Sequence, residues 1–245
     1  MTLLLQRGSQ AATIENIQAI PVPQATRTYQ PVAHEHLSTM LLQMANHLLP
    51  NFSQASTQFG LAADGNKMFG VHTLRSENTS MGLSIGFRNS YDRSMSLGIA
   101  VGASVLVCDN LALSGDITIL RKHTLNVIRD MESLALAAIY KSQRTYNQIL
   151  MDAESMRLQE INDDNAYRML GLVYGRGIMT PRQIPIAHRE WESPQYEDFE
   201  PRTVWSLYNA ITEALKIAPP QSIMEKHLGL HQIFSEQFGF NGALQ

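Results

Sequence analysis

Apolar positions along the chain follow two different periods. Over residues 33–49 they recur at helical spacing, with Leu37, Met40, Leu41, Met44 and Leu48 on one face before Pro50 stops the run. From Thr57 onward the period falls to two. Residues 57–63 and 67–75 flank Asp64-Gly65-Asn66, which tolerate positive φ cheaply, so this stretch predicts an antiparallel hairpin. In residues 81–87, Leu83, Ile85 and Phe87 alternate with Gly82, Ser84 and Gly86. The next strand repeats the scheme: Leu97, Ile99, Val101, Val105 and Val107 share one face, and Ser96, Gly98, Ala100, Gly102 and Ser104 the other. One side of this hairpin is therefore greasy and the other smooth. Interior glycines weaken a strand unless something approaches closely, and a packed helix is the expected neighbour on the smooth side rather than a ligand.

Residues 113–120 supply a further, shorter strand, after which helical periodicity runs over 124–162 with Thr124 as the expected N-cap. Val127, Met131, Leu134, Ala138, Tyr146 and Ile149 gather on one side of this helix. Asn126, Arg129, Ser133, Lys141, Arg144 and Gln148 gather on the other, so it should lie on the sheet and show a partly basic outer stripe. Residues 165–174 read as another helix, and 181–201 as proline-punctuated and irregular. Two closing helices, 202–217 and 221–238, flank Pro219-Pro220, with Trp205, Ile211 and Leu215 as core anchors. At the other end, Pro21, Pro23 and Pro31 among β-branched residues read as an extended arm, a form that often reaches a neighbouring subunit. The expected fold is α+β: an antiparallel sheet of about five strands with a long helix packed across it, plus C-terminal helices. Its expected organisation is an extended arm over 1–32, an α+β core over 33–165 and a helical region over 166–245 packed on that core.

Composition narrows the class. With 44% hydrophobic and 17% charged residues the chain can fill a core, which excludes a disordered tail or a fibre. Leu3 to Leu5 are too few for a signal peptide, and no stretch approaches the roughly 20 apolar residues of a membrane span. The 19 basic and 22 acidic residues leave a net charge of -3, so any basic surface must be local. The single cysteine, Cys108, excludes an intramolecular disulfide and fits a reducing cytoplasm.

The densest polar cluster comprises Arg88-Asn89-Ser90-Tyr91-Asp92-Arg93-Ser94, Cys108-Asp109-Asn110 and Arg121-Lys122-His123-Thr124. Hairpin topology sets Asp92 and Asp109 roughly 40 Å apart, which divides the cluster: Asp109, Asn110 and His123 at one edge, Arg88 and Arg93 at the other. A nucleophilic reading pairs Cys108 with His123 and uses Asn110 to orient it; against that, a lone Cys after Val-Leu-Val is usually a small buried hydrophobe. His34-Glu35-His36 and the i, i+4 pair His227 and His231 have the residue types of a metal site but not three spaced ligands, so no metal is assigned. No P-loop or dinucleotide fingerprint is present, and no cofactor is called for. Phosphate tracking, by contrast, needs only a shared line of cations. Arg88, Arg93, Lys122, Arg129, Lys141 and Arg144 are the candidates, with Tyr91 as a base-stacking platform and an ordinary solvated helix face as the bland alternative.

These motifs, together with Pro31-Val32-Ala33-His34, Asp64-Gly65 and Trp205-Ser206-Leu207-Tyr208-Asn209-Ala210, resemble in type and order a phage and plasmid protein family classed as a domain of unknown function. The resemblance covers most of the chain. It implies a phage-encoded or bacterial cytoplasmic protein and carries over no catalytic residue. The order of elements is also similar to the core of single-strand annealing recombination proteins, which lay a long helix across a curved antiparallel sheet, form rings or filaments and hold single-stranded DNA in a basic groove. The leading expectation is therefore a non-enzymatic, homo-oligomeric single-stranded-DNA-binding protein of recombination or replication. Two rivals stand beside it. One is an interaction module that inhibits a host defence system, contacting its partner through the proline-rich arm and exposed Tyr196 and Phe199. The other is a hydrolase using Cys108 with His123, or a metal held by Asp109, His123 and a distant carboxylate.

Overall fold

The computed structural model describes residues 9–76, 81–105 and 110–240. Its centre is one antiparallel sheet in which each strand pairs with the next: β1 (Ser9–Ala12), β2 (Ser53–Ala62), β3 (Lys67–Arg75), β4 (Met81–Ser90), β5 (Leu97–Val105) and β6 (Asn110–Arg121). The fold is α+β, with six strands rather than about five. The sixth is β1, which lies in the segment expected to be an extended arm. That segment also forms a short helix, α1 (Ile14–Gln18), capped by Thr13 and Asn16 side chains, and it buries Ile17, Tyr29 and Val32 in the chain's own core.

The β2–β3 turn forms where its chemistry requires. Ala63, Asp64 and Gly65 all adopt left-handed φ, and the Asn66 backbone and side-chain N–H groups both donate to the Ala63 carbonyl. From there the pleat sets the two faces of the sheet. Leu83, Ile85 and Phe87 in β4, with Leu97, Ile99 and Val101 in β5, share one core with α2 (His34–Leu48) and α3 (Val127–Arg157), each large side chain contributing about 1.5–3 kcal/mol by leaving water. On the opposite side, Phe69, Val71 and Ala100 meet Ala218, Ile223 and Met224. The last two belong to α7 (Pro220–Phe238), so a helix does cover the smooth face. Close approach explains two of the glycines: a Cβ at Gly70 would lie 2.4 Å from Phe87 Cζ, and one at Gly98 would lie 3.1 Å from Arg88 Cγ.

Beyond α3 the chain folds into α4 (Asp163–Gly175), α5 (Ile184–Glu192), a 3-10 turn (Glu197–Phe199) and α6 (Val204–Leu215). Helix α6 is buried almost all round, as befits the central element of this helical region, and Thr203 caps it by accepting from the Ser206 N–H. Two sequence expectations are corrected here. Residues 181–201 are not irregular throughout, because Pro185 sits in the first turn of α5, where its missing N–H breaks no helical bond. Helix α3 begins at Val127 after Asn126, not at Thr124, whose carbonyl instead accepts from the Val127 N–H. Among the described residues, no helix is long and apolar enough to cross a membrane.

Candidate functional site

At the end of the sheet where β2 turns into β3 and β4 into β5, four separate chain segments meet in a buried polar knot centred on Asn89. The Val32 carbonyl can only accept, so the Asn89 amide nitrogen faces it, at 2.6 Å. The same nitrogen donates to His34 Nδ1 at 2.9 Å, which puts the His34 proton on Nε2, donated in turn to the Gly65 carbonyl at 3.0 Å. Asn89 Oδ1 is thereby left facing His123 Nε2–H at 2.7 Å. Tyr91 stacks on His34 with ring centroids 3.9 Å apart, and its hydroxyl accepts from the His34 backbone N–H. Tyr29 completes the knot by donating to the Tyr91 carbonyl. Burial pushes His34 down to about 4 and lowers His123 as well, so both rings are neutral near pH 7. The knot is a scaffold: it locks the β4–β5 turn against the chain that leaves β6.

Two residues expected at a nucleic-acid surface are spent in this region. Tyr91, the expected stacking platform, is buried and already stacked on His34. Arg88 lies beneath α7, with its Nη1 2.5 Å from Glu225 Oε1. Its alternation in β4 places it with Gly86 and Ser84 on the face that α7 covers, a signal already present in the sequence. The expected split of the polar cluster is corrected too. Asn110 opens β6 and His123 follows its end, so a strand roughly 35 Å long separates them, and His123 joins Asn89 and Arg93 at the opposite edge. Cys108 and Asp109 lie outside the described residues. Asp92, at the same turn as Arg93, accepts from the Ser94 backbone and hydroxyl and lies 3.7 Å from Lys67.

The remaining cations are exposed. Arg93 and Lys122 border a cleft of about 370 Å³ whose walls include Thr28, Tyr29, Ser96, His123 and Thr124, with no carboxylate among the lining residues. Arg93 sits there with a left-handed φ of 62° and its guanidinium 4.2 Å from the Tyr29 ring centroid. A second cleft, of about 480 Å³ beside Gln10 and Ile20, offers Asp64 as its one charged wall and so suits no anion. Arg129, Lys141 and Arg144 lie on the outer face of α3. Helical spacing aligns Arg129, Leu136, Tyr140, Arg144 and Met151 in one stripe, and Tyr140 is 78% exposed. The position of Tyr140 one turn from both Leu136 and Arg144 is a signal already present in the sequence.

The other sequence candidates have structural roles. His36 is exposed while His34 is buried, and among the described residues no group of three His, Cys, Asp or Glu side chains could hold a metal ion. His231 lies 3.3 Å from Asp152 of α3, off hydrogen-bond alignment, in a buried contact that also draws in Gln148 and ties α7 to α3. Phe199 is buried against a partly buried Tyr196, so neither is the exposed contact expected of a docking module. Comparison with family models, with curated proteins and with solved structures finds no match to this chain.

Proposed function

We propose that this chain binds single-stranded nucleic acid, without catalysing a reaction on it. The binding surface runs from Arg93 and Lys122 onto the outer face of α3, through Arg129, Tyr140, Lys141 and Arg144. The observation that carries this reading is the exposed α3 stripe itself, in which Tyr140 offers a free aromatic face one helical turn from Arg144. A base stacked on Tyr140 would leave its phosphate within reach of Arg144 or Lys141. Arg129 continues the track roughly 22 Å away towards Lys122. A long helix laid over an antiparallel sheet, on which annealing proteins are also built, is consistent with this use. On this reading the setting is recombination or replication of a mobile element.

The same stripe supports a second reading. Leu136, Met151 and Leu158 are all exposed along α3, a pattern that also suits another copy of the chain or a host protein. Charge separates the two. Arg129→Glu combined with Arg144→Glu keeps the apolar residues and reverses the phosphate track, and should weaken binding of a single-stranded oligonucleotide at least tenfold with the circular dichroism spectrum unchanged. Equal affinity in the variant overturns the strand reading.

A further inference from the structure

We propose that the cleft beside the β4–β5 turn is a terminal-phosphate site, taking the dianionic phosphate monoester of a nucleotide or strand end. The proposal deepens the strand-binding reading, on which its strand-end form rests. Two cations, Arg93 and Lys122, border the cleft, and among the described residues neither has an ion-pair partner and no carboxylate lines the cleft to neutralise them. Two positive charges match a phosphate monoester, which carries nearly two negative charges at pH 7, better than a backbone phosphodiester, which carries one. The hydroxyls of Thr28, Ser96 and Thr124 supply further donors for the three terminal oxygens. A volume of about 370 Å³ accommodates the phosphate with the sugar attached to it.

The backbone points the same way. Arg93 occupies a left-handed conformation that glycine adopts freely and arginine at a cost of about 1 kcal/mol. Its neighbours hold it there: Asp92 accepts from Ser94 on one side, and Ser90 and Met95 exchange hydrogen bonds across the turn. His123, anchored through Nε2 to Asn89, forms a fixed neutral wall of the cleft. The turn thus holds a guanidinium over Tyr29 at the mouth of a rigid cleft.

The test measures binding of the full chain to single strands of one sequence ending in a 5′-phosphate, a 3′-phosphate or only hydroxyls, and separately to thymidine monophosphate. One phosphorylated end should bind about tenfold or more tightly than the hydroxyl-ended strand. Arg93→Gly, which relieves the backbone, and the surface change Lys122→Ala should each erase that preference. Arg144→Glu should weaken all strands together and leave the preference intact. If no strand binds but thymidine monophosphate does, dependent on Arg93, the cleft stands and the strand reading falls. If phosphorylated and hydroxyl ends bind alike and thymidine monophosphate does not bind, the cleft proposal is overturned while strand binding survives.

Discussion

Asn89 shows how a single buried amide organises the site, since its two polar atoms serve Val32, His34 and His123 and leave the turn beyond it no freedom to drift. Two buried histidines, His34 beside it and His72 of β3, which meets Thr57 through Nδ1 and the Ser38 carbonyl through Nε2, give stability a defined pH dependence. Burial pushes His34 and His72 from 6.5 down to about 4, against the pull of the Gly65 and Ser38 carbonyls. Below pH 6.5 the unfolded chain takes up protons that the folded chain refuses until about pH 4. Stability is therefore complete above pH 6.5 and falls as pH drops towards 4, by on the order of 3 kcal/mol for each ring. Urea midpoints measured at pH 7, 5.5 and 4.5 should decline in that order, and a flat series contradicts the burial of these two rings in their neutral form. At this scale the sequence was only half legible. Residues near a turn read as surface residues, yet Tyr91 and Arg88 are buried because the α2 terminus and α7, distant in sequence, close over them.

Elements were more legible than their partners. Periods of two and 3.6 gave β3, β4, β5, α2 and the body of α3, since local side-chain alternation is a direct consequence of which face is buried. The smooth side of the β4–β5 hairpin was expected to receive a helix, but nothing local could say that this helix is α7, from the far end of the chain. Helix α5 was missed because proline was read as a breaker without regard to its place in the first turn. Gly70 in β3 marks a tight approach within the sheet. Gly70→Ala would drive its Cβ to 2.4 Å from the Phe87 ring, whose rigid, fully buried side chain has little room to yield. The substitution should cost about 1–3 kcal/mol in a denaturant titration, and a neutral result would mean the core at Phe87 repacks freely.

At the scale of the whole molecule, a net charge of -3 conceals an uneven surface. The sheet and its covering helices consume Arg88 in an internal ion pair, and leave Arg93, Lys122, Arg129, Lys141 and Arg144 outside along one end of the sheet and one face of α3. Sequence sorted Arg129, Lys141 and Arg144 onto the outer stripe of the long helix, but not Arg93 and Lys122, whose meeting depends on where the chain leaving β6 returns. The exposed set, with Tyr140 among it, is the basis for strand binding, and salt tests it most directly. Affinity for a labelled single-stranded oligonucleotide should fall linearly on logarithmic axes as salt rises. Five phosphate contacts predict a slope of roughly -3.5, and Arg144→Ala should flatten it by about 0.7. Binding that ignores salt, or a slope that Arg144→Ala leaves unchanged, would contradict an electrostatic track along α3.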